Sequence, residues 1–207
     1  MNKLLDTILH ENQLQAVFQP IVSTSDLNIV GYEALIRGPM GSELELPTAL
    51  FGCARSLGRQ SGPELDEVLL SLEMEPTRVV IEITEEQAVT DYPRLHDVAR
   101  RLSALGYEWA IDDLGAGYAS LRLWLELQPA CVKLDNAFVQ GSDGDALKRC
   151  FLNAVQQLAS CSQARVIAEG VETAQELEVL RRLGIAYAQG YYIARPSAKP
   201  PLRIDLS

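Results

Sequence analysis

An α/β fold, in which strands alternate with helices to build a parallel sheet or barrel, is the class this sequence predicts. Three observations lead there. Seven short β-branched or apolar runs recur along the chain, each of strand length. Segments with helical periodicity lie between the later runs, and that alternation is the pattern of parallel α/β sheets and barrels. At 207 residues, 47% of them hydrophobic, the chain can bury one sizeable core but not two generous ones, which predicts a single domain over residues 1–207.

The first two runs, 15–22 and 28–36, are joined by the short polar stretch Ser23-Thr24-Ser25-Asp26, so they predict an antiparallel hairpin. The segments 47–60 and 63–74 both read as helices with no strand between them. Strands are then expected at 78–84, 107–111, 130–134, 164–168 and 186–188. Helices are expected at 92–105, where Leu95, Val98, Leu102 and Leu105 share a face, and at 145–159 and 173–183. The cluster Gly141-Ser142-Asp143-Gly144 is too short to divide two domains and reads as a surface loop. Seven strands are one fewer than a (β/α)8 barrel needs, and the shortfall lies between 47 and 74.

Composition removes several functional classes. Eighteen Lys and Arg against 28 Asp and Glu leave a formal charge of -10, the wrong sign for a broad surface that binds DNA or RNA polymers. A nucleotide held here needs metal ions to offset the repulsion. No apolar stretch reaches the roughly 18 residues of a membrane span. The start, Met1-Asn2-Lys3-Leu4-Leu5-Asp6, does not read as a secretion signal. Cys53, Cys131, Cys150 and Cys161 form no CxxC pair; they predict small core residues in a reducing cytoplasm rather than a zinc or disulfide framework. His10 and His96 show no metal-ligand spacing and are expected on solvent-facing helix positions.

Glu33, Glu82, Asp112 and Asp113 stand inside predicted strands or at their carboxyl ends, where α/β barrels assemble their sites. Carboxylates in apolar runs are costly to desolvate unless paired or bound to a cation, and hard oxygen ligands suit Mg²⁺ or Mn²⁺. Lys133 and Glu169 follow near later strand ends. The lysine can offset charge or hold a water, and the glutamate can take a proton from an attacking water. Taken singly, each has a plainer explanation. Glu33 is an edge acid or half of an ion pair, Asp112-Asp113 an Asp/Gly turn and Lys133 a surface residue. Recurrence at successive strand ends favours a shared site. The Gly115, Gly117 and Tyr118 loop lacks the lysine of a P-loop and is a weak phosphate signal.

Seven segments in order resemble the EAL domain of bacterial cyclic-di-GMP signalling: Gln19-Pro20-Ile21-Val22, Glu33-Ala34-Leu35-Ile36-Arg37, Ile81-Glu82-Ile83-Thr84-Glu85, Asp112-Asp113-Leu114-Gly115-Ala116-Gly117-Tyr118, Val132-Lys133-Leu134-Asp135, Ala168-Glu169-Gly170-Val171-Glu172-Thr173 and Ala188-Gln189-Gly190-Tyr191-Tyr192. The resemblance implies a (β/α)8 TIM-like barrel with an antiparallel first strand, here one strand–helix unit short. It also implies metal-dependent hydrolysis of cyclic di-GMP to linear pGpG with Mg²⁺ or Mn²⁺. By position, Glu33, Glu82, Asp112 and Asp113 would be metal ligands. Lys133 would help position water, Glu169 would be the general base, and Gln19, Arg37 and Gln189 would contact the ligand. Glu85 would anchor the loop after Asp113, and the helix following that loop would form a homodimer. The family's strand with an Asn-Val-Ser type motif, whose asparagine is a metal ligand, has no counterpart between Glu33 and Glu82. That departure keeps a second class open, a catalytically inactive EAL-type receptor that signals cyclic di-GMP through a protein partner. A plain protein-interaction module is a third reading, which Gln19 and Arg37 argue against.

Overall fold

The structure is a computed structural model, described here for residues 6–8, 10–11, 13–45, 75–84, 92–115 and 120–206. The expected helices at 47–60 and 63–74, together with Cys53, Glu85, Gly117 and Tyr118, lie outside the described residues.

Seven strands form one mixed sheet: β1 (Gln15–Ser23), β2 (Ile29–Arg37), β3 (Val80–Thr84), β4 (Glu108–Leu114), β5 (Cys131–Leu134), β6 (Arg165–Ala168) and β7 (Tyr187–Ala188). The order across the sheet is β2-β1-β7-β6-β5-β4-β3. β1 pairs antiparallel with both β2 and β7, and the remaining neighbours are parallel. Among the described residues the sheet is a (β/α)8-type barrel one strand short, curled so that its two end strands approach one site. Among the described residues, β2 and β3 each have a strand on one side only.

Helices α1 (Tyr92–Ala104), α2 (Ser120–Leu127), α3 (Asn136–Val139), α4 (Ala146–Ser162) and α5 (Ala174–Arg182) connect the strands. Local chemistry explains where they start. Asp145 accepts from the amides of Leu147 and Lys148, at 2.8 and 3.2 Å, and opens α4. Thr173 and Glu176 form a reciprocal capping box that opens α5. The short helices α2 and α3 were not expected from periodicity. Asp135 starts α3 by accepting from the Ala137 amide at 2.8 Å.

Side chains alternate across the strands, so the sheet has two unlike faces. One face packs Ile111, Val132, Leu134, Val166, Ala168 and Ala188 into the main core with Leu152, Val155, Leu177 and Leu180 of the helices. The other carries Ala110, Cys131 and Ile167, packed together with Ile21 and Tyr187. Two residues further along these strands, that second face presents Asp112, Lys133, Glu169 and Gln189. Cys131 meets the expectation of a small core residue, but Cys150 and Cys161 are exposed on α4. Within the 141–144 turn, Ser142 is buried while its neighbours are exposed. His96 is partly exposed and pairs with Glu126 at 3.0 Å.

Candidate active site

Lys133 is the centre of the site. Its side chain is 1% exposed, and its Nζ lies 2.6 Å from Glu33 Oε1, 3.1 Å from Glu82 Oε2, 2.9 Å from Asp112 Oδ1 and 2.9 Å from Glu169 Oε1. An ammonium has three protons, so it cannot align with four acceptors at once. Its aligned hydrogen bonds go to Glu33 and Glu82, while Asp112 Oδ1 touches the cation without an aligned donor. The surface reading of Lys133 is overturned. β5 lies between β4 and β6, and its third residue points into the curl of the sheet.

Asp113 joins the cluster through a break in the β4 ladder. Consecutive strand residues normally face opposite sides. Between Ile111 and Leu114, β4 carries one residue more than β5 opposite it, and Asp113 takes a left-handed φ of 52°. Such a bulge re-aims a side chain. Here it places carboxylate oxygens of Asp112, Asp113 and Glu169 within 4.8 Å of one another, and a second trio, Glu33, Glu82 and Asp112, meets the same limit. The following turn is tight: Gly115 has φ 101°, and an added Cβ would lie 2.5 Å from Phe138 Cε2.

The electrostatics show a shortage of positive charge. Burial pushes the Glu169 carboxyl up to about 8; Lys133 pulls it down and Asp112 pushes it further up. Burial likewise takes Glu82 up to about 7, again opposed by Lys133 and reinforced by Asp112 and Glu33. Glu82 keeps 30% of its side chain exposed against 14% for Glu169, so solvent screens its shift more. Burial alone would lower the Lys133 pKa, yet the four carboxylates hold it well above the ordinary lysine range. Five carboxylates facing one ammonium suit a divalent cation with hard oxygen ligands. The two trios, which share Asp112, are the residues able to hold it.

Gln189, immediately after β7, donates through Nε2 to Glu33 Oε2 at 2.9 Å and to Glu169 Oε1 at 2.7 Å. Gln19 is buried opposite Glu33 in the β1–β2 register and donates to the Ala194 carbonyl at 3.0 Å. Both glutamines line a cavity of about 320 Å³ together with Glu33, Asp112, Asp113, Lys133 and Glu169. Arg37 stands on the same face of β2 as Glu33, roughly 13 Å along the strand. Its guanidinium donates to the Ile36 carbonyl at 2.9 Å, and it is not among the cavity's lining residues.

The far wall was not singled out from sequence. Asp135, Asn136 and Gln140 come from α3 and its flanks, and Gly170, Glu172 and Tyr191 from the loops after β6 and β7. Gln140 Nε2 donates to Glu172 Oε1 at 3.2 Å. Asp135, Gly170, Glu172 and Tyr191 do fall inside three of the motif segments, which was the available signal.

A search of family models matches residues 58–196 to the EAL domain, more than half of the chain. The chain belongs to the EAL domain family. An uncharacterized signaling protein of Caulobacter vibrioides is 30% identical over 225 residues, covering 90% of this chain and 28% of that protein. That alignment is longer than this EAL chain itself, so the relative carries residues with no counterpart here. The probable cyclic di-GMP phosphodiesterase PdeA of Escherichia coli is 37% identical over 121 residues, 58% of this chain and 17% of PdeA. The chain thus spans less than a third of either curated relative. Among solved structures, the Pseudomonas aeruginosa MucR phosphodiesterase in complex with c-di-GMP superposes with a TM-score of 0.80 at 26% identity, covering 94% of this chain and 97% of that one. A standalone EAL protein of Vibrio cholerae in its c-di-GMP-bound form gives 0.77 at 26% identity, covering 93% and 95%.

Proposed function

We propose that this EAL domain, taken as one unit over residues 1–207, hydrolyses cyclic di-GMP to linear pGpG with Mg²⁺ or Mn²⁺. The observation that carries the reading is the cluster itself. Five carboxylates gather around one buried lysine, and four of them, Glu33, Asp112, Asp113 and Glu169, open with it onto a cavity whose other walls are polar. The likeness to MucR, named a phosphodiesterase in complex with c-di-GMP, supports the substrate.

Glu33, Glu82, Asp112 and Asp113 hold the cation, which when bound supplies Lewis-acid activation of water and of the phosphodiester oxygens. Glu169 takes a proton from the attacking water through Oε2 while Gln189 and Lys133 fix Oε1. Lys133 orients that water as it becomes the nucleophile. The water oxygen bonds to phosphorus, the bond from phosphorus to O3′ breaks, and a proton is delivered to the leaving O3′. Gln19 and Gln189 contact the dinucleotide in the cavity. Arg37, at the end of the same β2 face, swings from the Ile36 carbonyl to a phosphate.

The exposed side chains of Leu121 and Leu125, one turn apart on α2 at 62% and 75%, support a homodimer through the helix after the Asp112–Asp113 turn. None of the described helices is long and apolar enough to cross a membrane. A cytoplasmic location goes with the proposed action on a dinucleotide second messenger.

The test is turnover of cyclic di-GMP with Mg²⁺ or Mn²⁺ by wild type, Glu33→Ala and Glu169→Ala, with binding measured in parallel. Formation of pGpG that both substitutions abolish establishes the enzyme. Tight binding without turnover makes the domain a receptor, and absence of both binding and turnover removes the dinucleotide reading.

A further inference from the structure

The ammonium of Lys133 and a divalent cation need the same oxygens. Nζ lies within 3.1 Å of every member of the Glu33, Glu82 and Asp112 trio and within 2.9 Å of Asp112 and Glu169 in the other. A magnesium-sized ion takes carboxylate oxygens at about 2.1 Å, closer than any of these contacts. Two cations sharing such ligands repel each other strongly in a site so little exposed. Lys133 is also the only cation among the described residues lining the cavity. Without it, four largely enclosed carboxylates would confront one another with no opposite charge between them.

We infer that Lys133 is the resident counter-ion of the metal-free site: it stabilises the empty acidic cluster and lowers its affinity for the divalent cation by holding the same oxygens. The inference rests on the metal-dependent reading above and adds a second role for the lysine, before any substrate arrives. The β5 backbone is hydrogen-bonded to strands on both sides, so it stays in place. The flexible four-carbon stem makes the movement, giving up some of the four oxygens as metal enters.

Direct binding of Mn²⁺, followed by the loss of the free-ion electron paramagnetic resonance signal, tests this on wild type, Lys133→Gln and Lys133→Met. Both variants are expected to bind Mn²⁺ about tenfold more tightly or better. Their metal-free melting temperature should fall, and the rise on adding Mn²⁺ should exceed that of wild type. Equal or weaker Mn²⁺ binding by the folded variants would overturn the inference while leaving the metal site standing. Absence of Mn²⁺ binding in all three proteins would instead remove the metal reading on which it depends. A wild-type measurement covers variants that fail to fold. In protein labelled with ¹⁵N-lysine, the Lys133 ammonium resonance should shift or vanish as Mg²⁺ is titrated in, and a resonance unchanged at saturating Mg²⁺ would overturn the inference.

Discussion

Gln189 and Lys133 hold the same two carboxylates. Lys133 touches Glu33 Oε1 and Glu169 Oε1, while Gln189 donates to Glu33 Oε2 and again to Glu169 Oε1. One amide and one ammonium therefore tie an acid on β2 to an acid beyond β6. Removing the amide leaves the charges in place but frees their orientation. Gln189→Ala is expected to lower the kcat for cyclic di-GMP by about 10- to 100-fold and stability by about 1–2 kcal/mol. Steady-state kinetics beside urea melts check both, and unchanged kcat would show that the amide orients nothing of consequence.

Glu169→Gln keeps the shape and the Gln189 contact but cannot accept a proton. Turnover should drop by about 10²- to 10⁴-fold, with cyclic-di-GMP affinity retained when measured by calorimetry. A loss confined to affinity would place Glu169 in binding rather than in proton transfer.

The upward shifts of Glu82 and Glu169 predict a pH dependence of the metal-free protein. Ordinary glutamate titrates near 4.5, while these two groups in the folded state titrate at about 7 and about 8. The folded protein thus binds their protons more tightly than the unfolded chain does. Their stabilising contribution is complete below about 4.5 and is lost as pH rises through 7 and then 8. Urea unfolding should show lower stability at about pH 9 than at about pH 5, by a few kcal/mol. Glu169, the less exposed group, should carry the larger part, and Glu169→Gln should flatten the upper limb. A wild-type profile that is flat across this window counts against the burial of these acids.

Gly170 follows Glu169 with φ 69°, and a Cβ there would lie 2.4 Å from Asn136 Cβ. The strain and the clash act together at the wall of the cavity. Gly170→Ala should cost about 1–3 kcal/mol of stability and reduce turnover by shifting Glu169. A thermal melt and a kinetic assay on the same preparation separate the two effects.

Much of this site was legible as acids recurring at strand ends, because strand runs and their carboxyl ends are short-range features. Lys133 was ambiguous by itself, since only its four partners, contributed by four other strands and their ends, explain why a lysine is buried. The bulge that turns Asp113 toward Asp112 leaves no mark in periodicity; it depends on the one-residue mismatch with β5. Asn136 and Gln140 sit on and beside a helix of four residues, too short to show a helical period. Cys150 and Cys161 were misplaced because cysteine usually packs inside, whereas these two fall on the outward face of α4. That the described residues supply seven strands rather than eight was visible as a count of apolar runs, since the Glu33 and Glu82 motifs stand too close together to contain another.

Glu33 and Glu82 belong to β2 and β3, the two strands at opposite ends of the hydrogen-bond order, yet both reach one ammonium. In an ordinary barrel the backbone ladder closes the ring. Among the described residues, the rims here are clasped by charge instead. The curvature of the sheet and the ionic contents of its mouth thus become one mechanical variable. Whatever loosens the grip of Lys133 lets the rims part, and whatever draws the two glutamates onto a common cation bends the sheet toward closure.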